Sequence, residues 1–161
     1  MEKLDIKKSL QRARIASKNR NESSFHLTID NREFSWSGYE DKIQIIRNGL
    51  PYAAIEALSK RSNIPVKHYL NALQIVQTTY NKKKKAKSIL SKKDSEFIVM
   101  LTELFDYGCK VFNDETDKFQ RWLQKPNISL GGVSPDSLFD SFLGIQKVKN
   151  SLDRLEYGNF A

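Results

Sequence analysis

From Tyr39 onward the apolar residues recur at steps of three and four, which places them on one face of an α-helix, and this pattern constrains the chain more than any other feature. Ile98, Leu101, Phe105, Gly108 and Phe112 form one continuous stripe, and Ile145, Val148, Leu152 and Leu155 form a second. Ile43, Ile46, Leu50, Ile55 and Leu58 are likewise spaced for buried faces. The fold class that follows is all-α, with helices predicted over 40–47, 51–62, 66–73, 77–86 and 115–124. A long helix opens at Ser91, and a final one runs over 143–156.

The breaks between these helices have their own chemistry. Pro65 suits the first position of the third helix, where its missing N–H costs nothing. Ser91 with Asp94 three residues on reads as a capping box. Gly108 permits a close helix approach, and Asn113-Asp114 interrupts the long helix. Pro126 disfavours helical geometry at Lys125 and ends the helix before it. Leu130-Gly131-Gly132 reads as a tight turn anchored by Leu130, after which Ser134 caps a short helix opened by Pro135. Ahead of Tyr39 the pattern changes. Residues 1–20 carry a basic, weakly amphipathic helix pattern through Leu4, Leu10 and Ile15. Phe25, Leu27 and Ile29 then alternate before Asp30-Asn31, and Phe34 and Trp36 follow, which reads as a two-strand hairpin. An extended arm packed on a partner subunit is the alternative for residues 1–38.

The charge is unevenly placed. The net charge of +8 divides into +10 over residues 1–100 and −2 over residues 101–161. Such asymmetry predicts a polyanion-facing first part and a second part with a different task. Hydrophobic residues make up 39 % and charged residues 29 %, a globular balance, and no apolar run has the length of a membrane span. The start lacks a long apolar leader, and the single cysteine, Cys109, has no partner for an internal disulfide, so a cytoplasmic setting is expected. Cys109 sits in an apolar helical stretch and reads as a small core residue. His26 and His68 are the only histidines. No H-E-x-x-H, C-x-x-C, G-x-G-x-x-G or P-loop spacing is present, so neither a metal, a cofactor nor an enzyme is expected.

Residues 66–73 and 77–86, joined by Gln74-Ile75-Val76, have the lengths and separation of a helix-turn-helix. The turn departs from the usual pattern, with Gln74 in place of a glycine and Val76 in place of a capping Ser or Asn. Ile75 is expected to plug the turn into the core. Gln77, Thr78, Thr79, Tyr80 and Asn81 would lie in the first turns of the second helix, where base edges are read. Lys82, Lys83, Lys84, Lys85 and Lys87 continue it as phosphate contacts. A solvated helix face is the bland alternative for the lysine run.

The C-terminal third carries a spaced motif: Trp122-Leu123-x-x-Pro126-Asn127, Leu130-Gly131-Gly132-x-x-Pro135-x-x-Leu138, then Gly144-x-x-x-Val148-x-x-x-Leu152-x-Arg154-x-Glu156-Tyr157-Gly158. This pattern resembles the toxin-binding domain of the Xre/MbcA/ParS-like antitoxins. The resemblance implies a protein encoded beside a toxin, commonly an NAD-consuming RES-type toxin whose active site is occluded by the antitoxin's last residues. By position those residues are Arg154, Glu156, Tyr157 and Gly158, with Asn159, Phe160 and Ala161 following. It also implies an Xre-like helix-turn-helix that binds the operon's own promoter, and a homodimer. The expected organisation is an arm or hairpin over 1–38, a helix-turn-helix DNA-binding lobe over 39–90 and a helical toxin-binding lobe over 91–161. A free-standing transcriptional regulator whose C-terminal lobe only dimerises is the alternative.

Overall fold

The computed structural model describes residues 24–158, so the helix expected over 1–20 and residues 159–161 lie outside the described residues. The described chain is mostly helical, with one small sheet. β1 (Phe25–Ile29) and β2 (Arg32–Trp36) are followed by α1 (Tyr39–Asn48), α2 (Ala54–Ser62), α3 (Val66–Leu73), α4 (Gln77–Lys85), α5 (Lys92–Val111), α6 (Thr116–Leu123) and α7 (Phe142–Tyr157). Two short 3-10 turns, Ile128–Leu130 and Pro135–Leu138, lie between α6 and α7.

The hairpin forms because Asp30 and Asn31 both adopt positive φ, 47° and 63°, the two-residue geometry that matches strand twist. Its register pairs Phe25 with Trp36 and Leu27 with Phe34. Leu27, Ile29 and Trp36 are buried against the chain's own helices, with β1 packed on α2 and α5 and β2 on α1. The hairpin is therefore part of this subunit's core, and over residues 25–36 it replaces the arm alternative. Trp36 Nε1 donates to Glu103 Oε1 at 2.9 Å, and Lys42 pairs with the same carboxylate at 2.7 Å.

α5 is the central helix. α1, α2, α6, α7 and β1 all pack on it, and it is buried at Phe97, Ile98, Val99, Leu101, Leu104 and Phe105. Ser91 Oγ accepts the Asp94 N–H at 3.1 Å, as the capping spacing predicts. Further along, a Cβ added at Gly108 would stand 2.2 Å from two ring atoms of Phe119, so α6 approaches α5 as closely as a glycine allows. Asn113 and Asp114 then leave the helix with φ of 54° and 61°.

One core cluster runs from Leu27 to Leu152 and includes buried residues on both sides of residue 90. Polar contacts cross the same line. His68 Nε2 donates to the Asp136 carbonyl at 2.8 Å, and Gln120 and Gln124 donate to the carbonyls of Arg61 and Asn63, each at 3.0 Å. Arg61 pairs with Asp106.

Several local expectations are corrected. Helix α2 begins at Ala54 rather than 51, and Pro65 occupies the cap position before α3, where its carbonyl accepts the His68 N–H at 2.9 Å. Ser134 precedes its short turn without capping it through its side chain: its hydroxyl donates to Asp136, and its carbonyl accepts the Ser137 N–H at 3.1 Å. Ile43 is 43 % exposed and Leu155 38 % exposed, although their spacing placed both in the core.

Candidate functional site

The motif residues of the C-terminal third sort by what the fold does with them. Leu123, Leu130, Val148 and Leu152 are buried in the core, and Trp122 stacks on Phe119 with ring centroids 6.2 Å apart. Asn127 accepts the Ser129 N–H at 2.9 Å and closes the turn, which also needs the positive φ of Gly131 and Gly132, 83° and 81°. Gly144 is required by proximity, since a Cβ there would stand 1.9 Å from the Leu138 carbonyl oxygen. Each of these residues has a structural task.

Arg154, Glu156 and Tyr157 have none. All three are exposed, Tyr157 by 75 %, and none makes a side-chain hydrogen bond or ion pair among the described residues. Tyr157 is the last residue of α7, although the sequence places it beyond that helix. Gly158 ends the helix in the left-handed region, φ 65°, with its N–H on the Arg154 carbonyl and open space where a side chain would be. Leu155 joins this exposed set. The last buried residue of α7 is Leu152, and the turn after it is only partly covered among the described residues.

What aims this final turn is a polar clamp that sequence reasoning missed. Tyr107 Oη donates to Asp153 Oδ1 at 2.7 Å, and Lys149 pairs with the same carboxylate at 3.4 Å while standing over the Tyr107 ring. Partial burial and the adjoining Asp153 carboxylate raise the Tyr107 pKa well above the ordinary phenol value, so the hydroxyl stays a donor. No local sequence signal links positions 46 residues apart.

The second candidate surface is the pair α3 and α4. Gln74 takes the positive φ, 56°, that a glycine would adopt more easily, and its N–H and that of Ile75 fall back on carbonyls of α3. Ile75 is half-buried against the core, as expected. Val76 precedes α4 without a side-chain cap. Tyr80 is 4 % exposed and faces the core, so it is withdrawn from the base-reading set. Its burial orients the helix. Thr78 and Lys82, two residues to either side, must lie on the opposite, solvent-facing side, with Lys85 close by.

Gln77, Thr78, Thr79, Asn81, Lys82, Lys83, Lys85 and Lys87 are exposed. Gln77 Nε2 donates to Asn81 Oδ1 at 3.0 Å. Lys84 turns inward and pairs with Glu56, whose carboxyl it holds below the usual carboxylate range. Lys87 lies beyond α4, in a turn with φ 52°, and does not continue the helix. No helix among the described residues is long and apolar enough to cross a membrane.

The family model described as the Antitoxin Xre/MbcA/ParS C-terminal toxin-binding domain matches residues 101–158. The chain is 30 % identical over 129 residues to the "Prs ADP-ribosylating antitoxin" of Sphingobium sp. (strain YBL2), covering 75 % of this chain and 81 % of the relative. It is 26 % identical over 114 residues to an "Antitoxin Xre" of Photorhabdus laumondii, covering 71 % and 77 %. A second "Antitoxin Xre", from Yersinia enterocolitica, is 25 % identical over 119 residues, covering 74 % and 80 %.

Proposed function

The chain belongs to the Xre-type antitoxins, and from that premise we propose that it neutralises a RES-type, NAD-consuming toxin by placing residues 154–161 in the toxin's active site. The observation that carries this reading is the sorting of the motif: its core and turn residues are used by the fold, whereas Arg154, Glu156 and Tyr157 are exposed and unengaged among the described residues. Asn159, Phe160 and Ala161 extend that segment. ADP-ribosyl transfer uses NAD as its donor, so the name of the Sphingobium relative favours an NAD-consuming partner. The mechanism is stoichiometric blockade rather than catalysis. Tyr107 and Asp153 hold the last turn of α7, Tyr157 supplies apolar area, and Arg154 and Glu156 supply charges for polar groups at the cleft.

The expected result for Tyr157→Ala is a loss of inhibitory potency of about 10- to 100-fold, as for a buried aromatic anchor. A titration of NAD consumption by the toxin against each variant measures it. Unchanged potency would remove Tyr157 from the blocking segment.

The same proposal gives residues 39–90 a DNA-binding task, in which α4 enters the major groove of the operon's promoter and a homodimer reads a two-fold operator. Thr78, Lys82 and Lys85 form its outward face, flanked by Thr79 and Asn81. Replacing Lys82 and Lys85 with Ala is expected to flatten the log–log salt dependence of promoter binding by roughly 0.9 for each phosphate no longer neutralised. Replacing Lys83 and Lys84 is expected to change it less, because Lys84 is engaged with Glu56. Equal slopes for the two double variants, measured by fluorescence anisotropy across salt concentrations, would refute this orientation of α4.

A further inference from the structure

The first turn of α2 and the lysine run of α4 meet at one carboxylate. Glu56, the acidic residue of that first turn, pairs with Lys84 of α4 and with Lys60, one turn further along α2, at 3.3 Å. Lys84 also stands over the ring of Tyr80, 5.9 Å from its centroid, and Tyr80 is itself buried in the core. Its bond to Glu56 raises the Lys84 ammonium above the usual lysine range, and the Asp30 carboxylate of the hairpin turn adds to the effect. Three elements, α2, α4 and the hairpin, thus bear on one ammonium group. Lys82, Lys83 and Lys85, by contrast, are exposed and make no ion pair among the described residues. The Lys84 side chain remains 37 % exposed, so it is held back rather than enclosed and reaches solvent once its partner is removed.

A free lysine on a helix in the major groove neutralises a phosphate whatever the base sequence. Glu56 opposes such a contact in two ways. It engages the Lys84 ammonium, and its own negative charge would be left beside any phosphate that drew Lys84 away. We propose that Glu56 is a positioning residue of the DNA interface, which withholds Lys84 from the phosphate backbone and so limits sequence-independent binding. This inference rests on the reading that α4 enters the major groove. In a promoter complex the base contacts fix the register of α4, whereas on other DNA the helix shifts freely to bring a released lysine onto a phosphate. The Glu56–Lys84 pair therefore weakens binding to other sequences more than binding to the promoter.

The test measures binding of the full-length chain to a promoter duplex and to a random-sequence duplex of the same length, by fluorescence anisotropy across salt concentrations. Glu56→Gln keeps the size of the side chain and removes its charge. It is expected to tighten binding to the random duplex about 3- to 10-fold at low salt, to tighten promoter binding less, and to steepen the log–log slope on the random duplex by roughly 0.9, one further phosphate. In a Lys84→Ala chain the same substitution is expected to leave the slope where Lys84→Ala alone puts it, whereas in a Lys60→Ala chain the full effect persists. Thermal melting should stay close to wild type, because partly exposed ion pairs contribute little to stability. An unchanged slope in Glu56→Gln overturns the proposal. So does a steepening that persists in the Lys84→Ala chain, which would be a general effect of removing a negative charge. A Glu56→Gln chain that melts markedly lower and binds both duplexes more weakly overturns it as well, since the carboxylate then serves only the fold. If Lys82→Ala with Lys85→Ala leaves the slope unchanged while Glu56→Gln steepens it, the outward face assigned to α4 fails and the role of Glu56 stands. If the lysine pair flattens the slope while Glu56→Gln alters nothing, the role of Glu56 fails and the outward face stands. A wild-type chain that binds neither duplex overturns both.

Discussion

Shortening the chain after Asp153 is expected to abolish protection of cells that co-express the toxin, while leaving a folded protein that still binds promoter DNA. The fold survives because Ile145, Val148 and Leu152 remain in the core and Asp153 remains available to Tyr107. The side chains removed are ones the described fold does not need, since Arg154, Glu156 and Tyr157 are exposed and Leu155 is covered only in part. The functional loss is large because Tyr157 and Phe160 are the aromatic residues of this segment. An aromatic side chain buries roughly 150–250 Å² when inserted in a partner. At about 25 cal/mol per Å² this amounts to about 4–6 kcal/mol gross for each ring. Ordering a side chain costs about 0.5–1.5 kcal/mol, so a net loss of several kcal/mol remains. Every 1.4 kcal/mol is about tenfold in affinity, and inhibitory potency should fall by about 100-fold or more. Growth of the co-expressing strain, together with circular dichroism and promoter binding of the shortened protein, reports all three quantities. Continued protection would refute the blocking role. Loss of folding would instead assign the segment to the core, as the alternative of a purely dimerising regulator allows.

The largest effect on stability is expected at Gly108. Its backbone is helical, so the residue is not needed for an unusual φ, and an alanine there would ordinarily favour the helix by about 1 kcal/mol. Contact decides otherwise. The new Cβ would meet the Phe119 ring at 2.2 Å, and that ring is buried among Phe105, Phe112 and Trp122, with centroids 6.3, 5.7 and 6.2 Å away. A ring held on three sides has nowhere to swing, and overpacking of a filled core costs about 1–3 kcal/mol, occasionally more. Gly108→Val adds still more volume at the same point, and its β-branch lowers helix propensity. The expected result is a fall in melting temperature of about 5–10 °C for Gly108→Val, with a smaller fall for Gly108→Ala. Phe119→Leu combined with Gly108→Ala should recover part of the loss, because the smaller side chain withdraws from the clash. A melting temperature that stays level or rises in Gly108→Val would show that α6 can move away from α5 at little cost.

Gly108 and the terminal segment are legible in the sequence for different reasons. Gly108 stands out because it interrupts an apolar stripe at the spacing of a buried face, a pattern that local periodicity carries by itself. The terminal segment stands out through a spaced motif, which the structure divides into residues with a packing task and residues without one. The residues that mislead are those whose periodicity is right and whose neighbour is missing. Leu155 follows Leu152 by three positions yet is covered only in part, since the buried set of α7 ends one turn earlier. Ile43 lies on the inner side of α1 and looks into a groove that no described residue fills. Tyr80 misleads in the other direction. Its place in the first turns of α4 suggests base reading, whereas its side chain is what turns that helix toward the core.

By itself the sequence determined most of the helices, their breaks and the charge division, and offered the hairpin as one of two readings, because each follows from φ preferences, hydrogen-bonding side chains and spacing within about a dozen residues. Asp30-Asn31 supplies two positive-φ residues, Ser91 and Asp94 a cap, and Gly131-Gly132 a reversal, and all of these act locally. Only the tertiary structure decided which faces are covered, which lysine of the run is already paired and what steadies the last turn of α7. Those properties depend on pairs such as Tyr107 with Asp153, Lys84 with Glu56 and Gly108 with Phe119. Burial and pairing are relations between distant positions, and no single position carries a record of its partner.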